Sequence, residues 1–147
     1  MGLKYGSGFP LLFHVLVLTS MPAASWAATK IVGGSDHWRY GFNYTDWALK
    51  NAPFYQNDTL VFMYDPPTNI TFPHSVSLLK DSKSLSACDF TTAKLVASVV
   101  QGIGKGFEFV LKKRKPYYFA CGEHERLHCT AGQMKFSVTP LKRRCRG

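Results

Sequence analysis

From Lys30 onward the chain never stays apolar for long. "KIVGG", "DTLVFMY", "HSVSLL", "FEFVL", "PYYFAC" and "MKFSVTPL" are short runs rich in β-branched and aromatic residues, each cut off by Gly, Pro, Asn or Asp. A helix needs a longer amphipathic repeat, whereas a strand is complete in four to six residues, so this punctuation predicts an all-β sandwich or barrel with short helical segments. In "HSVSLL" strand alternation would put His74, Val76 and Leu78 on one face. "DWALKN" reads as one short helix with Asp46 as its N-cap, and "TTAKLVASVVQG" reads as either a helix or a loop and strand. At 147 residues the chain has the length of a single domain with one core.

The first 27 residues are set apart from that pattern. "MGLKYGSGFPLLFHVLVLTSMPAASWA" has one lysine, an apolar centre and a small-residue end, the order of regions in a secretory signal peptide, with cleavage expected after Ala27. Its apolar run falls short of the roughly 20 residues of a membrane span. The expected organisation is thus a signal peptide over 1–27, one domain over 28–141 and a disordered basic tail over 142–147. Three Asn-x-Ser/Thr sequons, at Asn43, Asn57 and Asn69, agree with an exported, glycosylated chain. The C-terminal "LKRRCRG" gives no sign of a glycolipid anchor. Loss of Lys4 with the leader lowers the net charge from +9 by one. That balance favours acidic partners, such as cell-wall or surface polymers, over nucleic acid, which a secreted protein seldom meets.

The chemistry is crowded into "YYFACGEHERLHCTAGQMKF", which holds Cys121, His124, His128, Cys129, Gln133 and Met134. A strand ending in a cysteine, then a loop with a histidine and a thioether or amide, suits a type 1 copper site. Copper cycling between Cu(I) and Cu(II) wants one soft thiolate, two imidazoles and a weak axial ligand. One loop can supply three of these, and His74 is the upstream histidine available for the fourth. Four cysteines in an oxidising compartment point to disulfides without dictating their pairing.

Taken in order, "IVGG" with Trp38, "DTLVFMY", "PHSVSLLKDSKSLSAC" and "YYFACGEHERLHCTAGQMKFSV" resemble the phytocyanins, the plant blue copper proteins that include plantacyanins, uclacyanins and stellacyanins. The resemblance covers residues 30 to 141 and implies the cupredoxin fold, a Greek-key β-sandwich. It implies Cys121 as the copper thiolate, His74 and His128 as imidazole ligands, and a Cys88–Cys129 disulfide, in preference to a Cys121–Cys129 bridge that would consume the thiolate. Cys145 is left over as a free or intermolecularly paired thiol.

Three departures bear on that pattern. "CGEHERLHC" has six residues between the ligand cysteine and histidine where the family has four, which makes His124 a rival to His128. Counting from His128 selects Gln133 as axial ligand, whereas matching the following strand selects Met134, the preferred choice. The family's Gly-Asp before "LVF" is Asn57-Asp58 here. The implied function is a secreted, monomeric, extracellular one-electron carrier with one copper, no enzymatic turnover and small redox partners, in which His128, on an exposed loop, is the electron port. Two rivals stand beside it: a basic cell-surface interaction protein on the same fold with incidental copper, and a structural zinc site, which would want four firm ligands.

Overall fold

The structure, a computed structural model, describes Gly2 and residues 27–144. Apart from Gly2 and Ala27 the expected leader lies outside the described residues, as does Cys145.

Among the described residues seven strands make two sheets, as the alternation of apolar runs and turns predicts. β1 (Thr29–Ile31), β2 (Thr59–Phe62) and β5 (Phe107–Val110) form one sheet in the order β1-β2-β5. β3 (Val76–Leu79), β4 (Lys94–Ala97), β6 (Tyr117–Ala120) and β7 (Lys135–Val138) form the other in the order β4-β3-β6-β7. β1 runs parallel to β2, and every other pairing is antiparallel. On β7, Phe136 and Val138 are buried while Ser137 is exposed, the period of two expected of a strand with one face in a core. The core between the sheets is aromatic: Phe119 lies 5.2 Å, centroid to centroid, from both Phe62 and Phe136, and Trp38 closes over Phe62 at 5.3 Å. Each such ring contributes about 1.5–3 kcal/mol by leaving water.

"TTAKLVASVVQG" resolves as strand β4 followed by turns. The helix at "DWALKN" exists as α1 (Tyr44–Asn51), but its N-cap is Asn43, not Asp46. Asn43 Oδ1 accepts the Asp46 amide at 3.0 Å, and starting there lets Tyr44, Trp47 and Ala48 turn into the core while Asp46 pairs with Lys50 on the exposed side. Two short helices have no counterpart in the sequence reading, α2 (Ser82–Ala87), capped by Asp81, and α3 (Leu127–Thr130). β3 begins only at Val76, so the alternation does not reach back to His74. Before it, the Ser75 amide and carbonyl serve Cys121 and Trp38 instead of a strand ladder.

A second small cluster surrounds a disulfide between Cys88 and Cys129, with Leu79 and Ala120 beside it. The bridge spans 41 residues, worth about 4 kcal/mol in the chain-entropy account. Asp58 is a fully buried carboxylate that takes the Ala28 amide at 2.8 Å, the Tyr55 amide at 2.9 Å and the guanidinium of Arg143. Arg143, in the expected tail, is thereby tied to the domain.

Candidate metal centre

Three elements converge at one end of the sandwich. β6 delivers Cys121 as the first residue past its last rung, the turn before β3 carries His74, and α3 presents His128. The donor atoms lie within 4.8 Å of one another. His74 Nδ1 stands 3.1 Å from His128 Nδ1, which stands 3.4 Å from Cys121 Sγ. Donors around one metal with bonds of about 2.0–2.3 Å stand some 3–4 Å apart, so the spacing fits a single shared ion. The chemistry of the set fits as well: two imidazoles and a soft thiol face each other with no acidic residue among them. Cys121 is the free cysteine among the described residues.

The electrostatics keep this set uncharged until something positive arrives. Burial pushes the Cys121 thiol up, against hydrogen bonds from the Ser75 and Glu123 amides that favour its thiolate. His74 is pushed down to about 4, first by burial and then by His128, with Asp65 opposing. His128 is lowered by burial and by His124, with Glu123 opposing. Both rings are therefore neutral at neutral pH, the form in which an imidazole binds a metal.

The backbone holds these residues from behind. The Ser75 amide donates to Cys121 Sγ at 3.4 Å, and the Ser75 carbonyl accepts Trp38 Nε1–H at 3.0 Å. Trp38 thus positions the turn between His74 and β3, a role that its place beside "IVGG" does not reveal. The signal available was chemical: a buried indole N–H must find an acceptor. On the other side the disulfide adjoins His128 directly through Cys129, pinning α3 to the end of α2.

Met134 and Gln133 separate cleanly. Met134 is fully buried in the core cluster that contains Cys121. Its amide donates to the His128 carbonyl and its carbonyl accepts the Cys121 amide, each at 3.0 Å. Gln133 is exposed in a left-handed turn, with φ of 56°.

His124 and His128 also separate, and the outcome changes the face of the site. His124, Glu125 and Arg126 all have positive φ, at 51°, 50° and 73°. This left-handed stretch costs about 1–2 kcal/mol per residue and takes up the two additional residues of the loop. It folds the exposed His124 back so that its ring stacks on that of His128, 5.1 Å between centroids and 27° between planes. Tyr40 meets His128 edge-on at 5.6 Å, and Phe72 meets His124 edge-on at 4.7 Å. Gly132 permits the Tyr40 approach, since a Cβ there would stand 2.5 Å from the Tyr40 ring. His128 is consequently only 2% exposed. The expectation of an exposed His128 is corrected: the outer surface is a cavity of about 290 Å³ lined by Tyr40, Phe72, His124 and Leu127.

The chain is 31% identical over 131 residues to blue copper protein 1a of Medicago truncatula, an overlap of 89% of this chain and 73% of that protein. Blue copper protein 1b of the same plant is 30% identical over 131 residues, 89% of this chain and 71% of that protein. The chain belongs to the phytocyanins. No family model matches it. Among solved structures, cucumber stellacyanin with Cu2+ superposes with a TM-score of 0.61 and 25% identity, over 81% of this phytocyanin and 100% of that chain. Cucumber basic protein, a blue copper protein, superposes with a TM-score of 0.59 and 28% identity, over 78% and 100%. The two-sheet architecture is thus that of the cupredoxins. No helix among the described residues is long and apolar enough to cross a membrane.

Proposed function

We propose that this phytocyanin is a type 1 copper protein that carries single electrons in the extracellular space, with His74, Cys121 and His128 as copper ligands and Met134 as the weak axial group. The observation that carries the reading is the convergence of two neutral imidazoles and one protonated thiol on a common point, with no carboxylate in the donor set. Bound there, copper would supply a one-electron couple that no side chain of the protein provides. The chain's own part is to hold the donors still. Ser75 and Glu123 amides favour the Cys121 thiolate, so Cys121 would give up its proton to solvent if a metal bound, and the thiolate would stand beside two imidazole donors already in place. The disulfide, the Trp38 bond and the Met134 backbone bonds resist movement of the loop, which keeps rearrangement on electron exchange small. Met134 is favoured over Gln133 because its side chain is buried with Cys121, whereas the amide is in water.

The reading assigns the protein no turnover of substrate: an electron enters and leaves, and His124, stacked over His128, is the outermost ring on that route. Export with cleavage after Ala27, a monomeric state and glycans on Asn43, Asn57 and Asn69, all exposed, complete the proposal. The deciding experiment is the visible and electron paramagnetic resonance spectrum of the purified chain loaded with Cu(II). An intense thiolate-to-copper charge-transfer band is expected, lost in Cys121→Ser. A colourless wild-type complex, or firmer binding of zinc under matched conditions, would overturn the reading.

A further inference from the structure

The open side of the sandwich, where edge strands β4 and β5 face each other without pairing, holds a shallow groove of about 510 Å³. Its floor is apolar, made by Leu78, Val96 and Phe109, with the Tyr117 ring beneath. Its walls are cationic. Lys94 stands on the β4 side, and Lys112, Lys113 and Lys115 stand on the β5 side, against one carboxylate, Glu108. All four lysines are exposed, and none has an ion-pair partner among the described residues.

Lysines on edge strands commonly serve only to keep foreign strands away. Here three of the four lie beyond the strand, on a loop that the fold holds in place. The Lys113 amide donates to the Tyr117 hydroxyl at 2.9 Å, and Gln56 Nε2 donates to the Lys112 carbonyl at 2.7 Å. The cations are therefore presented at set positions along a groove. Register places the groove away from the metal centre: Lys94 pairs with Leu78 near the far end of β3, and Lys115 lies six residues before Cys121. Six extended residues span roughly 20 Å. A ligand held there leaves the His124 face uncovered.

We propose that this groove binds a polyuronate, a polysaccharide whose sugar rings carry carboxylates. Carboxylates along both edges of such a chain would meet Lys94 on one wall and the 112–115 loop on the other, while the C–H faces of the sugars lie on the apolar floor. An acidic peptide fits less well. Strand addition needs a run of unpaired backbone, and β4 and β5 have four residues each, with the Lys112 amide already turned back on the Val110 carbonyl. The inference goes beyond the copper reading and does not require it.

The test is equilibrium binding of the full mature chain to de-esterified polygalacturonate, to the fully methyl-esterified polymer and to polyaspartate, at low and at physiological salt. Two charge-matched variants are compared, Lys112→Glu/Lys113→Glu/Lys115→Glu in the groove and Lys50→Glu/Lys83→Glu/Lys105→Glu elsewhere. The groove variant is expected to lose at least tenfold in affinity for the charged polysaccharide, and the control less than threefold. Equal losses in the two variants would reduce the effect to net charge and overturn the site. Polyaspartate bound as tightly as polygalacturonate would overturn the polysaccharide as the partner. Circular dichroism and the thermal midpoint of each variant, matched to wild type, show that both are folded; Cu(II) colour is recorded separately, so a failure of the copper reading leaves the binding result intact.

Discussion

Asp58 carries more than its place outside the metal centre implies. It is fully buried and binds three donors from three parts of the chain: Ala28 at the start of β1, Tyr55 in the turn before β2, and Arg143 beyond β7. Asp58→Ala strands two main-chain amides, each costing about 1–3 kcal/mol when left without an acceptor. Arg143 adds less, because its side chain keeps a quarter of its exposure and can swing into water. The expected loss is about 3 kcal/mol, or a fall of about 12 °C in Tm for a domain of this size. Asp58→Asn keeps one acceptor oxygen and should lose about half as much. If the leader is cut after Ala27, the Ala28 nitrogen becomes an ammonium, and its bond to Asp58 becomes charge-assisted. A chain acetylated at Ala28 should then be less stable than the free form by about 1 kcal/mol. Urea and thermal unfolding followed by circular dichroism measure all of these, and the copper colour should be unchanged below each midpoint, because Asp58 sits at the groove end of the sandwich. An Asp58→Ala chain within 0.5 kcal/mol of wild type, or an Asn variant as damaged as the Ala one, would refute the reasoning, the threshold being the ordinary scatter of a surface substitution.

Four further predictions follow from the site. His124→Ala should uncover His128 and speed reduction by a small outer-sphere reductant in stopped flow while barely moving the colour; an unchanged rate would show that the stacked ring does not govern access. Met134→Gln should lower the reduction potential measured by voltammetry, since an amide oxygen favours Cu(I) less than a thioether does, and Gln133→Ala should leave it in place; the reverse pattern would move the axial role to Gln133. In the metal-free protein His74 is held down to about 4 against 6.5 for the unperturbed side chain, so the unfolded state binds the extra proton and stability falls as pH drops from 6.5 toward 4. With allowance for a ring that is only partly buried this is about 1–2 kcal/mol, and His74→Gln should flatten that slope in urea titrations. Replacing Cys88 and Cys129 together by Ala should cost about 4 kcal/mol in the same assay and broaden the copper spectrum by loosening α3.

Much of this molecule can be read from its residues, and what cannot has physical reasons. The strands are legible because short β-branched and aromatic runs between turn residues admit few alternatives. Cys121 and His128 are legible because few residue types serve a soft metal, and Cys129 because it adjoins one of them. α2 and α3 escape notice for the opposite reason: "SKSLSA" and "LHCT" bury little or no apolar stripe of their own, and a cap at Asp81 or a neighbouring disulfide decides their shape. The fold-back of His124 is the hardest to foresee, since three successive non-glycine residues in the left-handed region have no sequence signature. It is paid for by burial of the His128 ring under His124, Tyr40 and Phe72. The two added loop residues therefore leave the His74–Cys121–His128 cluster alone and alter the surface that covers it. With His128 only 2% exposed, the outer face of the proposed site is an aromatic collar; if His74, Cys121 and His128 hold the copper as proposed, partner choice and rate could change through Tyr40, Phe72, His124 and Leu127 without disturbing those three residues.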